Sequence, residues 1–169
     1  MEQFYKLKSQ STIYDDIVDY IKTVDSAKWF NAYSFDILNI PDKLALKDPV
    51  ISALHKKFPV EPLKTRPVCL RMGPNILYKL HEDTIRLAAI NMLISGWDSH
   101  SFYGTQMEGS EDMFHINRVI YEPKCYYLFN TKQLHSVLNF DEPRIVFSLG
   151  FNPPYSYEAV LNFLKEENL

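Results

Sequence analysis

The sequence predicts an α+β fold in which a jelly-roll β-core is flanked by N-terminal helices and a C-terminal helix. Seven short apolar runs, separated by turn residues, follow one another between residues 66 and 151, a density typical of a β-sandwich or barrel. Apolar residues recur at helical spacing on both sides of that region. With 169 residues and 46% hydrophobic content, the chain has enough apolar surface for one core. We therefore expect a single domain over residues 1–169.

The N-terminal part, about residues 1–65, carries mostly helical patterns. A first strand is expected at Phe4–Lys8, and Thr12 is expected to cap the helix that follows, since its hydroxyl can accept first-turn amides. A second helix is expected at Pro41–Lys57, interrupted near Pro49 because proline cannot donate a helical hydrogen bond. The apolar positions that predict the first helix by their spacing are Ile13, Ile17, Tyr20, Ile21 and Val24.

The β-core, about residues 66–151, is predicted from short apolar runs that end at turn residues. These runs are PVCLRM, NILYKLH, TIRLAAINMLI, FHINRVIY, CYYLFN, HSVLNF and RIVFSLGF. A C-terminal helix is expected over about residues 155–168 with Ser156 as its cap. Its apolar face would consist of Ala159, Val160, Phe163 and Leu164.

Charge and composition narrow the classes of function. The net charge is −3 and no run of basic residues occurs, so a nucleic-acid partner is disfavoured. No apolar run approaches the roughly 20 residues that cross a bilayer, and the first residues lack the pattern of a signal peptide. We therefore expect a cytoplasmic protein without a membrane partner. Cys69 and Cys125 are far apart and lack metal-site spacing, which predicts two reduced, unpaired thiols.

A candidate metal site begins at the end of the strand ILYKLH. His81 and Asp83 are two residues apart, so in an extended chain their side chains project to one face. His135, which opens the strand HSVLNF, is the candidate for a third ligand. We expect it to come from the opposite sheet, after about three intervening strands. Two histidines and one carboxylate are the facial set that leaves open positions on Fe(II).

A candidate anion site follows on the next apolar run, RIVFSLGF. Arg144 and Ser148 have the same parity in this strand, so they should share one face. A guanidinium beside a hydroxyl suits bidentate capture of a carboxylate. The turn at residues 141–143 predicts that HSVLNF and RIVFSLGF form a hairpin, which would place His135 and Arg144 at opposite ends of paired strands.

These motifs, in this order, resemble the signature of the 2-oxoglutarate/Fe(II)-dependent oxygenase superfamily. The run His81-Glu82-Asp83-Thr84-Ile85-Arg86, followed by Asn91, is similar to small phage-type or aspartyl/asparaginyl hydroxylase-like members, as is the later set Asn130, His135, Asn139 and Arg144. The resemblance covers about residues 66–151.

The resemblance implies a double-stranded β-helix (jelly-roll, cupin-like) core and a hydroxylase that couples 2-oxoglutarate decarboxylation to substrate oxidation by O2. Its cofactors would be Fe(II), held by His81, Asp83 and His135, and 2-oxoglutarate, whose 5-carboxylate Arg144 would grip with help from Ser148. Further candidates for contact with cosubstrate or substrate are Tyr78, Arg86, Asn91 and Asn130. The substrate would be a small molecule or a peptide.

Two alternative functions use the same fold. A cupin-type isomerase or dioxygenase would share the metal ligands but would need no Arg144, and a non-enzymatic β-helix would bind a sugar, peptide or partner chain without metal. The remaining histidines lack a carboxylate two residues away on a strand, so they are not expected to be ligands. In the irregular segment at residues 95–113, Trp97 and Tyr103 belong either to a lid or to an ordinary surface loop.

Overall fold

The computed structural model describes residues 2–32, 34–59 and 66–169, and it consists of two antiparallel sheets with four α-helices in the described residues. The strands are β1 (Phe4–Gln10), β2 (Phe30–Ala32), β3 (Phe35–Asn39), β4 (Val68–Met72), β5 (Ile76–His81), β6 (Ala88–Ser95), β7 (His100–Gln106), β8 (Phe114–Val119), β9 (Cys125–Asn130), β10 (His135–Asn139) and β11 (Arg144–Phe151). The helices are α1 (Tyr14–Thr23), α2 (Asp42–Ala45), α3 (Pro49–Lys57) and α4 (Tyr157–Glu166).

The two sheets have the arrangement of a double-stranded β-helix. The larger sheet has the order β1-β9-β6-β11-β4-β3-β2, and the smaller sheet has the order β5-β10-β7-β8. Six of the nine strand pairs formed by the described residues join strands that are not neighbours along the chain, because most successive strands of the core pass from one sheet to the other. The jelly-roll predicted from the apolar runs is therefore confirmed.

The main hydrophobic core lies between the larger sheet and the helices. Strand β9 is buried along its whole length, and β6 is buried at six of its eight positions, as expected for strands covered on both faces. Ile17 of α1, Leu54 of α3 and Leu164 of α4 have no measurable exposure, since each lies on the apolar face of an amphipathic helix. Among the described residues, no helix has both the length and the apolar character needed to cross a bilayer.

The N-terminal part differs from the sequence prediction in two respects. It adds β2 and β3 to the edge of the larger sheet, and these short strands lack a long alternating pattern. Thr12 does not cap α1, because its amide and hydroxyl both donate to the buried carboxylate of Asp48. That carboxylate also caps α3 by accepting the amides of Val50 and Ile51. The interruption expected near Pro49 is confirmed.

The core differs from the prediction in two further respects. HSVLNF and RIVFSLGF do not form a hairpin: β10 pairs with β5 and β7, whereas β11 pairs with β4 and β6 in the other sheet. The turn at residues 141–143 therefore carries the chain from one sheet to the other. The segment at residues 95–113 is not one irregular loop, since it contains β7, where Tyr103 is fully buried.

Candidate functional site

The three proposed metal ligands converge at one end of the smaller sheet. His81 and His135 lie directly opposite each other in the β5–β10 pair, and Asp83 follows just after β5. The Nε2 atoms of His81 and His135 lie 3.5 Å and 3.9 Å from Asp83 Oδ1. One ligand atom from each residue falls within 4.8 Å of the others. The expectation that His135 comes from the opposite sheet was wrong, because β5 and β10 are neighbours.

Both imidazoles are oriented by the backbone. Nδ1 of His81 lies 2.9 Å from the carbonyl oxygen of Lys79, and Nδ1 of His135 lies 2.8 Å from that of Gln133. Because a carbonyl only accepts, each Nδ1 donates its proton to the backbone, which leaves Nε2 as the atom that can offer a lone pair to a metal. Burial lowers the pKa of His135, which favours the neutral imidazole that a metal ligand requires.

Asp83 is fixed through its backbone as well as its side chain. Its amide donates to the carbonyl of Thr131, 2.9 Å away, and the Lys132 ammonium donates to its carbonyl oxygen at 2.6 Å. The Nε–H of Arg86 donates to Asp83 Oδ2, also at 2.6 Å. The carboxylate therefore meets the histidines with one oxygen and the guanidinium with the other. Tyr78 packs its ring edge-on against His81, with 4.3 Å between centroids.

Arg144 places a buried guanidinium in the same cleft. The residue is 6% exposed, and its nitrogens donate to the hydroxyls of Ser99 (3.1 Å), Ser101 (2.9 Å) and Tyr121 (3.4 Å). Burial lowers its pKa, but an arginine remains charged in proteins. In the described part of the chain, no carboxylate forms an ion pair with it. A buried cation held only by neutral hydroxyls is suited to an anionic ligand.

The strand register relates this guanidinium to the histidines. His135 lies opposite Tyr103 in the β10–β7 pair, and Ser101, which binds Arg144, comes two residues before Tyr103 on β7. Two residues of a strand span roughly 7 Å. The hydroxyl that binds Arg144 therefore lies one such step along β7 from the residue that faces His135.

A cleft with a volume of about 110 Å³ lies between the two sheets and opens to solvent. Asn91 lines it with a buried Oδ1 that accepts no hydrogen bond from any described residue. The other lining residues are Phe35, Leu70, Tyr78, His81, Asp83, Arg86, Ser101, Phe102, Tyr121, Phe129, Thr131, His135, Ser136, Val137, Arg144 and Val146.

Two other candidate residues are placed away from Arg144. Ser148 lies opposite Asn91 and accepts a long hydrogen bond, 3.5 Å, from Arg86. Asn130 is outside the set that lines the cleft, and its Oδ1 accepts the amide of Lys132 in the turn after β9. The structure therefore brings together seven of the nine residues proposed from the sequence as lining of one cleft, and Ser148 adjoins it through Arg86.

The sequence prediction missed the residues that hold Arg144. Ser101 has the same parity as Tyr103 and so shares its face of β7, and Ser99 lies just before the strand. That alternation was present in the sequence, but the small and polar residues of β7 disguised the strand. Tyr121 follows β8, and no local pattern connects it with Arg144. Phe35, which packs edge-on against Tyr78 at 5.1 Å, lies on the unpredicted strand β3.

No protein-family model matches the chain, and a search of curated proteins finds no match.

Comparison with solved structures is informative about the fold. A prolyl-4-hydroxylase from Pseudomonas putida aligns with a TM-score of 0.62 at 12% identity, covering 90% of this chain and 93% of that one. HygX from Streptomyces hygroscopicus, crystallised with nickel and 2-oxoglutarate, aligns with a TM-score of 0.62 at 11% identity. The alignment covers 90% of this chain and 84% of HygX. Another HygX crystal also holds hygromycin B. A 2OG-Fe(II) oxygenase family oxidoreductase from Burkholderia pseudomallei aligns with a TM-score of 0.59 at 10% identity. The alignment covers 89% of this chain and 84% of that one. At these identities the likeness concerns the fold: the chain has the double-stranded β-helix fold of 2-oxoglutarate/Fe(II) oxygenase structures.

Proposed function

We propose that this protein is a non-haem Fe(II), 2-oxoglutarate-dependent oxygenase that hydroxylates its substrate. One observation carries the proposal. A two-histidine, one-carboxylate cluster with both Nε2 atoms turned inward shares a cleft with a buried guanidinium, which donates to three hydroxyls and has no carboxylate partner among the described residues. Either feature alone suits other functions, but both together suit a metal-chelating dicarboxylate cosubstrate.

The residues fit the proposed groups chemically. Two imidazole nitrogens and one carboxylate oxygen are the donor set of oxygenases that leave three positions on Fe(II) open. With metal, 2-oxoglutarate and O2 bound, oxidative decarboxylation to succinate and CO2 would supply the oxidising power for hydroxylation. His81, Asp83 and His135 would hold the metal, and the backbone carbonyls behind the imidazoles would keep the histidines in the binding tautomer.

Arg144 would bind the far carboxylate of 2-oxoglutarate. Its Nε and Nη2 groups bind the three hydroxyls, which leaves the two N–H groups of Nη1 to donate to a carboxylate. The hydroxyls of Ser99, Ser101 and Tyr121 hold the guanidinium in place, so little side-chain entropy remains to be lost on binding. Ser148 belongs to the neighbourhood of Arg86, and we do not assign it to this carboxylate. Asn91, whose Oδ1 faces the cleft, would accept a hydrogen bond from cosubstrate or substrate.

A cupin-type enzyme without 2-oxoglutarate would use the same three ligands. It would have no use for a buried arginine in the same cleft, and a non-enzymatic binding module would need neither feature. We also propose kinship with the small phage-type or aspartyl/asparaginyl hydroxylase-like oxygenases, supported by the His81-to-Asn91 motif. A small-molecule substrate is supported by the likeness to HygX, and a cytoplasmic location by two buried free cysteines.

The test is anaerobic titration of the protein with Fe(II) and then 2-oxoglutarate, followed by visible spectroscopy. Chelation of Fe(II) by the oxo-acid should produce a metal-to-ligand charge-transfer band. His135→Ala and Asp83→Ala should abolish the band and lower the metal stoichiometry. His115→Ala is the matched control, since His115 is exposed on β8, and it should retain both. Absence of the band in the wild-type protein with metal bound would instead favour the cupin alternative.

A further inference from the structure

Arg86 has a specific geometric relation to the carboxylate of Asp83. Its Nε–H donates to Oδ2 at 2.6 Å, whereas Oδ1 of the same carboxylate lies 3.5 Å from His81 Nε2 and 3.9 Å from His135 Nε2. The two oxygens are thus divided between two partners. A charge-assisted hydrogen bond of this length is among the stronger side-chain interactions, and it opposes rotation of the carboxylate about its C–C bond.

The aliphatic part of the Arg86 side chain packs against Gly150. A Cβ atom at Gly150 would lie 2.8 Å from Arg86 Cδ, so the arginine stem occupies the space that any other residue there would fill. Two residues earlier on β11, the Ser148 hydroxyl lies 3.5 Å from Arg86 Nη1. Because Gly150 has no side chain, Arg86 can pack closely against the larger sheet at this position.

The backbone that carries Asp83 and Arg86 is tied to the turn after β9. Asp83 donates its amide to Thr131, and the Thr131 hydroxyl donates to the carbonyl of Arg86 at 2.6 Å. The Lys132 ammonium donates to the carbonyls of Asp83 and Thr84 at 2.6 Å and 2.9 Å. Both partners of the Arg86–Asp83 pair are consequently held by their backbones as well as by their side chains.

We propose that Arg86, whose side chain packs against Gly150, is a positioning residue. It restricts Asp83 to binding the metal through one carboxylate oxygen. The inference rests on the proposed function, since it concerns the same metal site. With Oδ2 engaged by Arg86, Oδ1 alone faces the two Nε2 atoms. A carboxylate free to turn could offer both oxygens and occupy a position that the cosubstrate or O2 requires. This assigns Arg86 to the metal ligand rather than to direct contact with 2-oxoglutarate or substrate.

The experiment uses the full chain loaded with Co(II), without 2-oxoglutarate, so that its readout is independent of turnover. The Co(II) affinity is measured by competition with a chelator, and the intensity of the visible ligand-field bands reports the coordination number. Loss of an outer partner of a metal ligand typically lowers metal affinity by about 10- to 100-fold. Arg86→Ala should show such a loss together with a changed ligand-field spectrum, because a second carboxylate oxygen would replace a metal-bound water. Arg86→Lys should lie between this variant and the wild type.

Gly150→Ala provides a second test, because it leaves the identity of every proposed ligand and of Arg86 unchanged. The added methyl should displace the arginine stem and change the Co(II) spectrum in the direction of Arg86→Ala. Gly73→Ala is the matched control, since its Cβ would meet Ile76 at an ordinary 3.4 Å, and its spectrum should equal that of the wild type. Arg71→Ala is the control for loss of a cation, because Arg71 forms a partly exposed ion pair with Asp36.

The outcomes separate this inference from the proposed function. Wild-type protein that binds no Co(II) at the three ligands would refute the proposed function and the inference with it. Wild-type binding with an unchanged spectrum and affinity within twofold in folded Arg86→Ala would refute the inference alone. If Arg86→Ala does not fold, an unchanged Co(II) spectrum in folded Gly150→Ala would have the same meaning.

Discussion

Replacement of Arg144 by alanine should sharply weaken the binding of 2-oxoglutarate. The guanidinium is 6% exposed and donates to three hydroxyls, with no carboxylate paired to it among the described residues. Loss of one partner of a buried charge pair costs about 2 to 5 kcal/mol. At about 1.4 kcal/mol per tenfold change, the dissociation constant should rise roughly 30-fold to several-thousand-fold. Metal affinity should stay unchanged, because Arg144 is not a ligand.

The assay is calorimetric titration of Mn(II)-loaded protein with 2-oxoglutarate. Arg144→Lys retains the charge but loses the planar fork, so its affinity should lie between those of the wild type and Arg144→Ala. Arg71→Ala is the matched control. Arg71 of β4 lies opposite Ile145, the residue after Arg144 on β11, but its guanidinium binds Asp36. Unchanged affinity in Arg144→Ala, with the fold and metal site intact, would refute the assignment of Arg144 and favour the cupin alternative.

Three further predictions concern stability and reactivity. Asp48→Ala should lower the free energy of unfolding by about 2 to 4 kcal/mol in denaturant titrations, because it removes a helix cap and leaves buried donors unpaired; an effect below about 0.5 kcal/mol would contradict this. Gly96→Ala should reduce both the stability of the fold and the affinity for 2-oxoglutarate, since Gly96 has φ of 77° and its Cβ would lie 2.7 Å from Arg144 Cα. An unchanged melting temperature and an unchanged dissociation constant in calorimetry would contradict this prediction. Thiol titration should find Cys69 and Cys125 unreactive in the folded protein and two free thiols after denaturation, whereas fewer than two would indicate oxidation.

Local patterns predicted much of the β-core. RIVFSLGF coincides with β11 and CYYLFN with β9, because long apolar runs bounded by turn residues are strong strand signals. Strand β7 was missed because its serine, histidine and glycine obscure the alternation around Tyr103. Thr12 was assigned as a helix cap because its position in the sequence favours capping, but the carboxylate of Asp48 competes for its donors. That residue is 36 positions away, beyond the reach of a local pattern.

The sequence by itself determined which residues could bind a metal and that they would be close. His81 and Asp83 project together because two residues separate them on an extended chain, and His135 opens a recognisable strand. Tertiary structure alone decided that β5 and β10 are neighbours, that β10 and β11 belong to different sheets, and which hydroxyls hold Arg144. Strand spacing constrains the face on which a side chain lies, whereas strand pairing depends on the packing of the whole core. For that reason the cluster of His81, Asp83 and His135 could be predicted from the sequence, but the contacts of Arg144 with β7 and Tyr121 required the fold.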